Sequence, residues 1–380
     1  MKKFIIFVAA IAMVGAFVAT AMADVDLYGS ARFRTYYKDV SSNDTKAYDD
    51  GDLEWQMGYL TRFGANFKSD KITGKMELDA RVASSSWDVN AYQKSGASSV
   101  GDMRLRQLWG QYDFGSWKFM IGQNYPLYDA PVSSINYYSG GLQKFGGIGY
   151  DAARTSQMRF TFGDFRLAFL PVDLSKDGIE NDVADYTSDT DTTFPKVELR
   201  YDMKMDAAQL NFIGGYQTYK AVNATDSDQS INSWTLGARG KMDFGPVYVG
   251  LSLTYRQNGT PYGSWTVVDE APRLNTTGTD VEDTTAWGGV AAVGFKFNDS
   301  NKIEASYGYL KSENDIGNME DKVQVIAANY TYTVAPGFYI VPEIIFQDNK
   351  NKQDSLNTAH PDRDKGDETI FGVFWRIDFK

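Results

Sequence analysis

The sequence predicts an all-β fold: a transmembrane antiparallel β-barrel of sixteen strands with long external loops and short periplasmic turns. Three observations carry that expectation. Short segments alternating apolar and polar residues recur from Val25 to the C-terminus. Long polar stretches and tight turns take strict turns between them. The chain also opens on an export leader, `MKKFIIFVAAIAMVGAFVATAMA`, with Lys2 and Lys3 before an apolar run from Phe4 to Val18 and small residues at Ala21 and Ala23. That pattern reads as a signal peptide over residues 1–23, cleaved before Asp24, and its run is short for a membrane helix.

The remaining 24–380 read as one barrel domain. Candidate strands fall near 25–36, 53–68, 72–83, 102–113, 117–123, 155–162, 165–172 and 194–205. The series continues near 208–219, 231–244, 247–256, 285–297, 302–311, 321–333, 337–347 and 368–379. After the leader no apolar run is long enough for a membrane helix, but a membrane β-strand needs only about 9–11 tilted residues that are apolar on one face. In `VDLYGSARFRTYY`, Val25, Leu27, Ala31 and Phe33 share one face while Asp26, Tyr28, Ser30, Arg32 and Arg34 share the other. `ITGKMELDARVA` separates Ile72, Met76, Leu78, Ala80 and Val82 from Lys75, Glu77, Asp79 and Arg81 in the same way.

The connections orient the barrel. Tight turns such as `GD` at 163–164, `GP` at 245–246 and `VAPG` at 334–337 interleave with polar stretches such as 173–193, 257–284 and 348–367. In hydrocarbon every backbone N–H and C=O needs a partner inside the protein, so a spanning sheet must close. Closure by successive hairpins puts all long connections on one side. Periodicity alone also allows a soluble sandwich with its apolar face inward, and a β-propeller is the rival for many spaced strands. Tyr59, Trp87, Tyr128, Tyr307, Tyr309, Tyr330, Tyr332, Trp375 and Phe379 are candidates for aromatic girdles at the membrane interfaces.

Composition narrows the chemistry. The mature chain carries 36 basic and 49 acidic side chains, a net charge of −13, which argues against a broadly basic nucleic-acid surface. With no cysteine and one histidine, His360, disulfides, thiol chemistry and a histidine-rich metal centre are excluded. No nucleotide-binding glycine loop or serine–histidine–acid set is present, and no catalytic residue is expected. Asp-rich stretches such as `NDTKAYDDGD` and `GTDVEDTT` offer oxygen ligands for Ca²⁺ or Mg²⁺ without an ordered calcium loop. A sixteen-stranded barrel is wide enough for an aqueous channel, so the residues themselves point to a pore.

In its sixteen strands, eight long loops and aromatic final strand `ETIFGVFWRIDFK`, the chain resembles the general porins of Gram-negative outer membranes over nearly its full length. The resemblance implies passive diffusion of ions and small hydrophilic solutes, a homotrimer among outer-membrane lipid and lipopolysaccharide, and delivery by the outer-membrane insertion machinery. It also implies that the third external loop, residues 124–154, folds inward to form a constriction. Asp129 and Asp151 would then face a basic wall of Arg32, Arg34, Arg62, Arg81, Arg104, Arg106, Lys118 and Arg159. Arg104 and Arg106 share a face, which leaves Gln107 on the apolar one and marks a place for a bulge. Phe371, Val373, Trp375, Ile377 and Phe379 would face lipid on the strand that closes the barrel, although Lys380 follows the terminal aromatic. A substrate-selective channel for sugars or small anions remains an alternative, as does a structural anchor or adhesin.

Overall fold

A computed structural model describes residues 24–41, 51–58, 60–79, 104–138, 140–149, 154–173, 189–222, 228–262, 267–274, 281–314, 319–352 and 366–380. The leader, Arg81, Asp151, Tyr59, Trp87 and His360 lie outside these residues, as does most of the first Asp-rich stretch.

Sixteen staves close on themselves. They are β1 (Asp24–Ser41), β2 in two runs (Asp52–Met57 and Arg62–Ser69), β3 (Ile72–Asp79), β4 (Arg104–Asp113), β5 (Lys118–Asn124) and β6 (Thr155–Phe162). Next come β7 (Phe165–Leu170), β8 (Lys196–Met205), β9 (Ala208–Val222), β10 (Asp228–Phe244) and β11 (Val247–Gln257). The last five are β12 (Thr284–Asn298), β13 (Asn301–Asn314), β14 (Met319–Ala335), β15 (Phe338–Lys352) and β16 (Gly366–Phe379). Each pairs antiparallel with its chain neighbours, and β16 pairs with β1 from Gly29↔Phe379 to Ser41↔Asp367, so no edge remains. Asp189–Asp191 adds a short run beside the top of β9.

The turns follow their chemistry. Asp70, Gly115, Gly163, Gly245 and Gly337 have positive φ, the conformation that short hairpin turns demand. The apolar faces point out: Leu27, Trp55, Ile121, Leu236, Val293, Ile326, Phe371, Trp375, Ile377 and Phe379 are exposed around the barrel. That is the reverse of a soluble sandwich. Tyr307, Tyr330 and Tyr332 join this outer surface, but Tyr128 does not; it is buried in the loop between β5 and β6.

Besides register shifts beside the turns at Lys296–Asn298 and Thr333–Ala335, two irregularities interrupt the ladder of the early strands. The sequence reads 53–68 as one strand, but pairing jumps from Phe33↔Met57 to Ser30↔Arg62, giving β2 two extra residues across the break. Gly58 donates to the Arg32 carbonyl at 2.9 Å, Leu60 takes φ 66°, and the Arg32 N–H donates to Thr61 Oγ1 at 3.2 Å. A Cβ at Gly58 would lie 3.0 Å from that of Arg32. The second irregularity is a register shift between β3 and β4: Glu77 pairs with Gln107 and Leu78 with Leu105, leaving Arg106 as the extra residue. Both bulges re-aim an arginine, a common use of bulges next to functional sites.

The outward apolar band gives a direct test. Ile326→Arg, near the middle of β14, should cost about 2–4 kcal/mol of folding stability in bilayers, the range for a cation at the midplane of a barrel exterior. Denaturant titration in vesicles measures it; a loss within experimental error would contradict the placement of this face in lipid.

Candidate functional site

The third loop, described over 125–138, 140–149 and at 154, folds into the barrel. Its apolar residues Leu127, Val132, Ile135, Tyr138, Leu142, Phe145 and Ile148 are all buried. Several pack on inward residues of the later strands, among them Val290, Leu310, Val325, Val341, Ile345 and Phe374. Each such side chain removed from water contributes on the order of 1.5–3 kcal/mol. These strands are therefore apolar on both faces, one toward lipid and one toward the loop.

Three buried carboxylates fix where the loop lies. Glu198 of β8 accepts from Leu127 N at 2.7 Å, and Glu304 of β13 from Ser134 N at 2.6 Å. Glu343 of β15 accepts from Asn136 N at 2.7 Å, Tyr137 N at 2.9 Å and the Tyr36 hydroxyl at 2.7 Å. These bonds satisfy main-chain donors that would otherwise be stranded inside the barrel. Tyr137 donates to Glu54 at 2.8 Å, and burial beside that carboxylate pushes its phenol above the ordinary range, so it remains a donor. Gly146, at φ 107°, lies against Gly288, Gly289 and the Tyr309 carbonyl with no room for a Cβ. The connection between β11 and β12 seats on top: its Tyr262 meets Tyr128 edge-on at 5.8 Å.

The loop packs on the lumen wall from β7 round to the upper half of β2, touches β4 and β6 through Tyr125 alone, and leaves most of β3 to β6 uncovered. On this open wall and at its two margins stand Arg376, Arg32, Arg62, Lys75, Arg106, Arg159, Arg166 and Arg200. Two pairs sit directly opposite in register, Arg32↔Arg376 and Arg166↔Arg200. Like charges directly opposite destabilise a sheet unless something bridges them. Arg376 donates to Asp378, and Asp202 takes both Arg200 at 2.7 Å and Arg166 at 2.6 Å. Glu77 is the corresponding hub in β3. It accepts from Arg106 Nε at 2.7 Å, Tyr28 at 2.7 Å and Gln107 at 3.2 Å, with Arg62 at 3.5 Å and Lys75 at 3.7 Å.

The burial of the partners is unequal. The Glu77, Glu198 and Asp202 side chains are 0%, 0% and 4% exposed, whereas those of Arg62, Lys75, Arg166 and Arg376 are 26%, 24%, 36% and 37% exposed. Glu77 and Asp202 are tucked into the wall while Arg62, Lys75 and Arg166 project from it; Arg106 and Arg200 are 3% and 13% exposed, and Asp378 is 29% exposed beside Arg376. A passing solute meets positive charge.

The expected wall residues therefore separate into groups. Arg32, Arg62, Arg106 and Arg159 come together around the lumen at the level of the loop, with Arg159 donating to the Tyr125 carbonyl and Arg106 to the Tyr125 hydroxyl. Arg34 is buried, bonded to the Tyr137 carbonyl at 3.1 Å and to Glu54 at 3.2 Å; it holds the loop rather than facing solute. Arg104 stands at the outer mouth beside Asp79, and Lys118 stands at the short-turn rim beside Asp113. Asp129 lies opposite the later wall instead of the early strands: its carbonyl accepts from Arg200 at 3.2 Å, and its charge acts on Arg239. Sequence reasoning missed Arg166, Arg200 and the anchoring role of Glu198, Glu304 and Glu343. The lost alternation in `AWGGVAAVGF` and `FYIVPEIIF` was the available signal for the loop's seat, since a strand covered on both faces reads as continuously apolar.

The sequence matches the family model described as Gram-negative porin over residues 8–352. No curated protein sequence matches it. Among solved structures, the outer-membrane channel DcaP of Acinetobacter baumannii is 16% identical, with 94% of this chain and 97% of that one covered at a TM-score of 0.68. The trimer form of the Vibrio cholerae outer-membrane protein OmpT is 15% identical, with 94% and 99% covered at 0.58. An anion-selective porin from Comamonas acidovorans is 13% identical, with 94% and 100% covered at 0.56.

Two substitutions test the docking. Glu343→Gln removes acceptor capacity facing buried main-chain donors, a loss of about 1–3 kcal/mol, and Gly146→Ala has no space for its methyl. Both should turn steady single-channel current into fluctuating current and expose the loop to protease, while the barrel remains folded by circular dichroism. Currents as quiet as those of the parent would show that the loop is held by other means.

Proposed function

Since the chain belongs to the Gram-negative porin family, it is an outer-membrane channel for passive diffusion, and we propose that its lumen favours small anions over cations. The observation that carries this reading is the asymmetry of the lumen: Glu77 and Asp202 are buried and hydrogen-bonded, while Arg62, Lys75, Arg166 and Arg376 project. Selectivity in such a pore follows the charge that reaches the permeating ion, not the charge of the whole chain. The family and the fold are those of a channel rather than an enzyme.

The assembly we infer is a homotrimer, in keeping with the trimer form of OmpT, and the mature chain begins at Asp24. Intact mass of the purified protein, denatured and native, reads both; a full-length mass or a monomer in detergent would sink the respective inference. Divalent cations at the Asp-rich loops would be external bridges to lipopolysaccharide, and chelation should then loosen association with lipopolysaccharide without changing conductance.

Reversal potential in a KCl gradient across a planar bilayer tests the selectivity. It should take the sign of chloride preference at ~0.1 M salt and weaken near 1 M, as the Debye length falls from about 10 Å to about 3 Å. Arg62→Gln removes a charge that an ion approaches to roughly 4 Å, worth about 1 kcal/mol in water, so the permeability ratio should drop up to roughly fivefold. A cation-favouring potential in the parent protein would overturn the reading. Verified insertion without current would favour the structural-anchor alternative.

A further inference from the structure

Below loop 3, on the short-turn side, the lumen holds a chamber of about 690 Å³ between the loop and the inner wall of β12 to β16. Lys296 and Lys302, Ser133 and Asn136 of the loop, Thr331 and Tyr339 are among its lining residues. Lys296 and Lys302 stand directly opposite each other in register at the base of the β12–β13 hairpin. Their side chains share the face of the inward Glu304, one hairpin step from the turn. Side chains paired in this way hold their Cβ atoms about 4.5–5.5 Å apart, and two like charges so placed repel.

The neighbouring carboxylates do little to relieve that repulsion. Asp243 forms a 3.7 Å ion pair with Lys296, but both side chains are more than half exposed, so water screens it. Asp378 is taken by Arg376, and Glu304 by Ser134, Ser306 and Tyr248. Asp299 also lines the chamber, exposed in the turn. Lys302 makes no hydrogen bond or ion pair among the described residues.

The geometry points to a binding station for a small multivalent oxyanion, held between the Lys296 and Lys302 ammonium groups with hydroxyl and amide donors around it. The station lies on the exit side of the constriction. It rests on the anion-favouring reading of the same lumen and adds a second site to it: the wall around Glu77 attracts anions at the level of the loop, and the lysine pair retains multivalent ones below. A compact ammonium pair suits a tetrahedral oxyanion, which two point charges can approach from separate sides, whereas monovalent chloride gains from each in turn and moves on.

The experiment is single-channel recording in KCl with inorganic phosphate added to one side and then to the other. Phosphate on the short-turn side should reduce chloride current at a lower concentration than phosphate on the loop side. Lys302→Gln should raise the half-blocking concentration about tenfold, equivalent to about 1.4 kcal/mol, while the KCl reversal potential keeps its anion sign. Lys296→Gln gives a second reading if the first variant fails to insert. Lys75→Gln removes an equal charge from the upper wall; it should shift the reversal potential and leave the half-blocking concentration within about twofold. An anion-selective parent with no sided phosphate effect, or equal effects of Lys75→Gln and Lys302→Gln, overturns the station while leaving the anion preference intact. A cation-selective parent overturns the preference itself.

Discussion

Backbone hydrogen bonding in a medium without water is the constraint on which the rest of this structure depends. A peptide group facing hydrocarbon without a partner costs several kcal/mol, so the sheet must return to its first strand. The Gly29–Ser41 run of β1 meets the Asp367–Phe379 run of β16 in thirteen register pairs and removes both edges at once. Closure then fixes everything else in outline. Alternate residues must face lipid and lumen, hairpins must fall into a short-turn end and a loop end, and sixteen staves leave an interior too wide for side chains alone to fill. Something else must shape it.

That role falls to loop 3, and two kinds of force share it. Apolar burial against β12 to β16 supplies the attraction but little direction. The carboxylates of Glu198, Glu304 and Glu343 supply the direction, because each accepts main-chain N–H groups at a fixed place along the loop. The division packs loop 3 on one half of the lumen wall, above the chamber at its base, and leaves the other half wet and charged. On the wet half the two bulges, beside Gly58 and at Arg106, displace the regular ladder; the second sets the buried Arg106 between Glu77 and Tyr125.

The strands and turns were legible because lipid on one side and water on the other impose a period of two. Asp and Gly residues also mark most of the hairpins. Five of the expected wall cations proved more ambiguous, since a face assignment gives no height along the barrel. Arg34, Arg104 and Lys118 share a parity with the lumen residues, yet one is bonded into the loop and the other two lie at opposite mouths. Arg62 and Arg106 were legible as inward, but their convergence on Glu77 was not, because a register shift decides it. Arg166 and Arg200 are brought together by the pairing of β7 with β8 across a long loop.

The same logic explains why an acidic chain can carry a cationic pore. Net charge counts every carboxylate equally, but a permeating ion responds to those it can approach. Glu77, Asp202 and Glu343 are each enclosed by donors, and that enclosure fixes the side chains around them. A buried anion that orients two or three cations leaves the group with a net positive face, since the cations outnumber it and stand between it and the water. Around Glu77 there are three cations for one carboxylate, and around Asp202 two. The acids of the lumen therefore act as supports that hold the positive wall in place, rather than as its electrostatic opponents.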